Sequence, residues 1–163
     1  MSTRRLSRQV VYGRNGMVCT NSPLSAAAGL KVLQEGGNAF DAALAVAATE
    51  TVTMVPMCGV GGDSFILLYE ATNSQVTSIS SSGIPGSGAS ADYYRKQGLT
   101  VMPLEGPHSV GVPGEVAAWE EVHRRFCSKP FDQLLDTAIG YAEDGFAIPP
   151  KIAENFASTA DRL

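Results

Sequence analysis

Charge is scarce in this sequence, and what there is does not lean basic. Among 163 residues, 12 Lys and Arg face 16 Asp and Glu, which leaves a net charge of -4 and only 17% charged residues. A nucleic-acid partner needs a concentrated excess of cations, so that class is set aside. The basic cluster of Arg4, Arg5 and Arg8 falls in a short N-terminal arm, where solvated tails concentrate. Long apolar runs are missing too. Nothing approaches the roughly 20 residues that cross a bilayer, and residues 1–11 lack the apolar stretch of a secretion signal. The expectation is a cytoplasmic chain with no membrane partner. Cysteine is sparse: Cys19, Cys58 and Cys127 are odd in number and far apart, which fits neither a disulfide framework nor a zinc site. With His108 and His123 equally isolated, no metal or cofactor is expected.

What is present is helical punctuation. A short strand is expected over 17–20, and then Ser22-Pro23 places a capping hydroxyl before a proline at the first helical position. Apolar residues at helical spacing follow, until Gly36-Gly37 supplies a stop. Asn38 and Asp41 have the spacing of a capping box. They precede the alanine-rich run from 42 to 48, whose small, nearly all-apolar surface predicts a helix buried on most sides. A buried strand is expected over 64–69. A turn at Asn73-Ser74 and a second strand over 75–80 complete a hairpin. Residues 80–90 are mostly Ser, Gly and Pro and read as a loop. Further helices are expected over 92–97 and 113–126, then one from Ser128 and Pro130 to Gly145, and a last one from Pro149-Pro150. The fold class is α+β. One hairpin is not a stable sheet by itself, so the sheet is expected to be incomplete in this chain. Residues 1–15 are read as a flexible arm and 16–163 as one partial domain.

Few residues offer chemistry. The run Gly59, Val60, Gly61, Gly62, Asp63 invites a phosphate-binding reading. A dinucleotide fingerprint leaves a strand and enters a helix, whereas here a helix precedes and a strand follows. A tight connection beside a pocket is the better reading. Asp41 has a sufficient role as a helix cap, and Asp63 as a turn residue. No Gly-x-Ser-x-Gly elbow is present, and neither histidine has a recognisable serine partner. Ser2 would need a following buried strand to serve as an N-terminal nucleophile, and Thr3-Arg4-Arg5 is too polar for that.

The ordered series Pro23-Leu24, Gly29, Val32-Leu33 and 36–43 (GGNAFDAA), then Cys58 through Asp63 with Phe65, resembles the γ-glutamyltransferase family. The likeness continues through 110–114 (VGVPG), Trp119, Pro130-Phe131, Leu134-Leu135, Ala138-Ile139, Ala142-Glu143 and Gly145-Phe146. It covers nearly the whole chain from about Gly16.

The resemblance implies the N-terminal part of the large subunit of an N-terminal-nucleophile hydrolase with an αββα sandwich. It further implies a proenzyme that cuts itself, with a threonine at the start of the small subunit attacking a γ-glutamyl or related small amide. On that basis the chain's partners are the substrate, the rest of the large subunit and the small subunit, and the chain alone is inactive. Many relatives place an arginine after the second hairpin strand to bind a substrate carboxylate. Residues 79–85 read ISSSGIP. No arginine is present, and the matching position is Ser81 or Ile84. Ser81, Ser82 and Ile84 are therefore the candidate substrate-binding residues. Gly59, Gly61, Gly62 and Asp63 form the loop expected near the pocket. The competing expectation is a non-catalytic binding or structural module that keeps half of the fold.

Overall fold

The computed structural model describes residues 10–160. Residues 1–9 of the expected arm, with Ser2 and the basic cluster, lie outside the described residues. The order is α1 (Pro23–Gln34), α2 (Ala39–Thr53), β1 (Phe65–Glu70), β2 (Gln75–Ser80), α3 (Ala91–Lys96), α4 (Glu115–Phe126), α5 (Phe131–Asp144) and α6 (Pro150–Thr159).

The two leading helices are set by their ends. The Ser22 side chain accepts the Ser25 N–H at the start of α1. At the far end the Gly36 and Gly37 N–H groups donate back to the carbonyls of Leu33 and Val32. This is the paired closure of a Schellman stop. The next helix begins two residues later with both halves of the capping box in place. Asn38 Oδ1 accepts from the N–H groups of Phe40 and Asp41, while Asp41 Oδ2 accepts the Asn38 N–H at 2.7 Å. Its alanine-rich surface then lets α1, α4 and α5 pack around it. The core joins Val32, Ala42, Leu44, Ala45 and Ala48 to Trp119 from α4 and to Leu134 and Ala138 from α5. Leu134 and Ala138 are the buried part of the expected α5 stripe, whereas Ile139 and Ala142 on the same stripe are exposed.

β1 and β2 pair antiparallel, from Phe65 opposite Ser80 to Glu70 opposite Gln75. The turn rests on Ser74 at φ 58° and on Asn73, whose side chain accepts the Gln75 N–H. Two expectations are corrected here. The first strand is not buried, because Phe65, Leu67 and Tyr69 are 76%, 74% and 59% exposed and only Leu68 is buried. Side chains alternate across a strand, and among the described residues helices cover only one face of the hairpin. Residues 17–20 form no strand. A strand exists by pairing, and among the described residues the sheet has two members, β1 and β2.

Candidate functional site

The loop of Gly59, Gly61, Gly62 and Asp63 leads from the end of α2 into β1 and meets the start of α4. The Gly62 carbonyl accepts the backbone N–H groups of Gly114 and Glu115, each at 3.0 Å. One residue further on, Ser64 is joined to Ser81. The Ser64 N–H donates to Ser81 Oγ at 2.7 Å, Ser81 Oγ donates to the Ser64 carbonyl at 3.1 Å, and the Ser81 N–H donates to the same carbonyl at 3.0 Å. The chain after β2 also lies against 112–114. A Cβ at Gly114 would stand 1.8 Å from the Ser81 carbonyl oxygen, and one at Gly83 would stand 1.9 Å from that of Val112. Only glycine permits that approach.

Gly62, Ser64 and Glu115 of this joint also line a cavity of about 400 Å³ between β1 and helices α2 and α4. Leu44, Ala47, Leu68 and Trp119 form apolar wall, and Glu50, Cys58, Asp63 and Glu115 bring polar groups to it. Glu115 is buried and occupied at both oxygens: Oε2 accepts the Ser64 hydroxyl, and Oε1 accepts the Trp119 indole N–H at 2.7 Å. Glu50 accepts the Thr20 hydroxyl. Burial raises its pKa, against the lowering effect of the Asn21 backbone N–H. The Cys58 thiol is also pushed up, first by burial and then by the carboxylates of Glu50 and Glu115. A thiol held protonated in this way is a poor nucleophile. Both histidines are engaged elsewhere: His108 packs on Tyr93 and Tyr94, and His123 contacts the Lys129 carbonyl and Phe131. Hydroxyls meet carboxylates here, Ser64 at Glu115 and Thr20 at Glu50, but neither histidine faces a serine or cysteine of the cavity. Among the described residues no cluster of three metal-ligating side chains occurs.

Gly59, Gly62 and Asp63 line the cavity; Gly61, Ser81, Ser82 and Ile84 do not. Ser81 is half-buried with its hydroxyl committed to Ser64, whereas Ser82 and Ile84 are exposed, Ile84 by 79%. The two candidate segments are thus brought together through Ser64 and Gly114. Sequence reasoning missed Glu115, Ser64 and Glu50. A local signal existed for the first, since Glu115 precedes Trp119 by one helical turn, but nothing local ties it to Ser64.

Residues 25–163 match the family model described as Gamma-glutamyltranspeptidase. The chain belongs to that family. It is 33% identical to the glutathione hydrolase proenzyme of Bacillus subtilis strain 168 over 96% of its own length, and 37% identical to the acylase ACY 1 proenzyme of Pseudomonas sp. strain V22 over 93%. It spans only 27% and 28% of those two proteins, about a quarter of each. Its fold follows the cephalosporin acylase of Bacillus halodurans at a TM-score of 0.88 and 35% identity, over 99% of this chain and 30% of that one. It follows the gamma-glutamyltranspeptidase of Helicobacter pylori at 0.85 and 30%, over 94% of this chain and 45% of that one. The α+β class and the N-terminal-nucleophile hydrolase relationship hold, with a sheet that is incomplete among the described residues.

Proposed function

We propose that this chain contributes the acyl-pocket wall of a self-processing amidohydrolase or acyltransferase that cleaves small amides. The observation that carries the reading is the family match over 25–163, combined with a glycine loop tied to the segment after β2 beside one cavity. The reaction needs a nucleophile from outside these 163 residues, and a threonine freed by self-cleavage supplies it. Its Oγ attacks the amide carbonyl carbon while its proton passes to the threonine's own amine. Backbone N–H groups stabilise the oxyanion. The amine then donates that proton to the leaving nitrogen as the C–N bond breaks. Water or an acceptor amine repeats the sequence on the resulting ester.

The substrate is a small acyl amide whose recognition does not rest on an arginine at 79–85. Those residues carry no cation, and the charged groups lining the cavity are Glu50, Asp63 and Glu115, all acidic. A γ-glutamyl carboxylate gains nothing from that set. Relatives named as acylases, alongside those named as glutathione hydrolases, support this direction. The test uses the full-length protein. Its division into two polypeptides on a denaturing gel is expected, followed by hydrolysis of uncharged acyl anilides in preference to γ-glutamyl anilide. Failure to divide, with no turnover of either class, removes the proposal; a strong preference for γ-glutamyl anilide removes the substrate assignment alone.

A further inference from the structure

Glu115 joins the loop before β1 to α4 directly, and reaches the segment after β2 through Ser64. Its carboxylate takes the Ser64 hydroxyl on one oxygen and the Trp119 indole N–H on the other, while its own N–H donates to the Gly62 carbonyl. Ser64 passes the connection on to Ser81 through the hydrogen bonds at 2.7 and 3.1 Å. Apart from Glu115, the loop is placed by backbone bonds, with the Gly114 N–H donating to the Gly62 carbonyl at 3.0 Å and the Cys58 N–H to that of Met54 at 3.0 Å. Its internal backbone bond runs from the Gly62 N–H to the Gly59 carbonyl at 2.9 Å. At Gly59 and Gly61 a Cβ would meet nothing within 4 Å. Burying a carboxylate is costly unless both oxygens are satisfied. The first turn of a helix offsets part of that cost, because the aligned peptide dipoles favour negative charge there. An apolar side chain of similar size would fill the volume without that cost, but it would hold neither donor.

We propose that Glu115 is a positioning residue, which fixes the loop of Gly59 to Asp63 and the segment at Ser81 against the cavity, and so sets how tightly the acyl group is bound without touching the reacting atoms. This rests on the acyl-pocket reading for its catalytic readout, and it also has a readout of its own. The experiment compares Glu115→Ala and Glu115→Gln in the full-length protein, with Leu134→Ala as a variant that weakens the core elsewhere. Amide hydrogen exchange is followed at 62–64, 81 and 114–115, together with steady-state kinetics on an uncharged acyl anilide.

In Glu115→Ala, exchange rises roughly tenfold at those amides and not in α5, and KM rises by about tenfold with kcat changed less than about twofold. Glutamine keeps one acceptor for the Trp119 N–H and presents an amide that a rotated Ser64 hydroxyl can accept, so Glu115→Gln recovers most of both effects. Leu134→Ala lowers overall stability without the local rise. The proposal is overturned if exchange in Glu115→Ala stays at the wild-type level, if it rises evenly across the protein as in Leu134→Ala, or if KM is unchanged in an active enzyme. A wild-type protein that turns over no amide sinks the acyl-pocket reading, and the exchange data still decide the positioning role.

Discussion

Asp41 Oδ2 accepts the Ser128 hydroxyl at 2.6 Å, 87 residues away, while Oδ1 accepts the N–H groups of Ser128 and Lys129 at 2.9 and 3.1 Å. Asn38 adds a parallel tie by donating its side-chain amide to the Phe126 carbonyl at 2.8 Å. The capping box of α2 is therefore also the anchor for the turn between α4 and α5. Replacing Asp41 by Ala takes the acceptor from four half-buried or exposed donors at Asn38, Ser128 and Lys129, and the cost is about 2 kcal/mol. Ser128→Ala removes a single donor and costs about 1 kcal/mol. Urea unfolding of the full-length protein measures both. Equal midpoints for wild type and Asp41→Ala would show that the anchor is dispensable.

Acid tests the same carboxylate. Burial alone would raise the Asp41 pKa, but the Ser128 hydroxyl and the N–H groups of Asn38, Lys129 and Ser128 together bring it below the ordinary 3.8. A group depressed in the folded state contributes stability that is present above its unfolded pKa and is lost as pH falls through the folded one. Stability therefore declines below about pH 4, and that decline is smaller in Asp41→Asn. An identical acid profile in the two proteins would assign the loss to other groups.

Cys127 predicts the alkaline side. Burial, and then the charge of Asp41, push its thiol up to about 12 from an ordinary 9.0. The folded form keeps a proton that the unfolded chain gives up, so stability is complete below the unfolded pKa and is lost as pH rises toward the folded one. Cys127→Ala flattens the slope of stability against pH above about 9. Denaturation midpoints taken across that range show the change, and parallel slopes would contradict it.

Glycine substitutions probe the joint between the two loop segments. Gly114→Ala forces a Cβ toward the Ser81 carbonyl, and the backbone must part, at a cost of roughly 3 kcal/mol or more. Gly111, three residues earlier, has open space where its Cβ would be, so Gly111→Ala shifts stability by less than about 0.5 kcal/mol. Thermal unfolding of the two variants side by side is the measurement, and similar melting temperatures would mean that the approach is not tight.

The exposed face of β1 gives a comparison between lengths of chain. Leu67 is 74% exposed in this segment. In the proposed full-length protein further structure covers it, so Leu67→Ser destabilises that protein by about 2 kcal/mol and changes the unfolding of the 163-residue chain little. A full-length protein indifferent to the substitution would leave this face in water.

Much of the fold was legible because its signals are local. Ser22-Pro23, Gly36-Gly37 and the Asn38–Asp41 box mark helix ends within four residues of themselves, and β2 follows from a turn two residues before it. What failed depends on what lies across space. The apolar residues of β1 announce a strand but not which face is covered, and residues 17–20 have strand character with no strand beside them among the described residues. Two segments stood out in the sequence as unusual glycine and serine runs, and of the residues named in them Gly59, Gly62 and Asp63 line the cavity. The group that joins them did not stand out. Glu115 and Ser64 are 51 positions apart, and each alone reads as an ordinary helix-start carboxylate and an ordinary strand-edge hydroxyl.

The hydrogen bond from Trp119 to Glu115 has an optical consequence. The chain contains one tryptophan, so its indole emission comes from a single place, the wall of the cavity. Any event that separates the glycine loop from α4, or that brings a guest against the ring, alters the surroundings of that chromophore. Within these 163 residues the indole therefore reports on both the cavity and the carboxylate that ties the loop to α4.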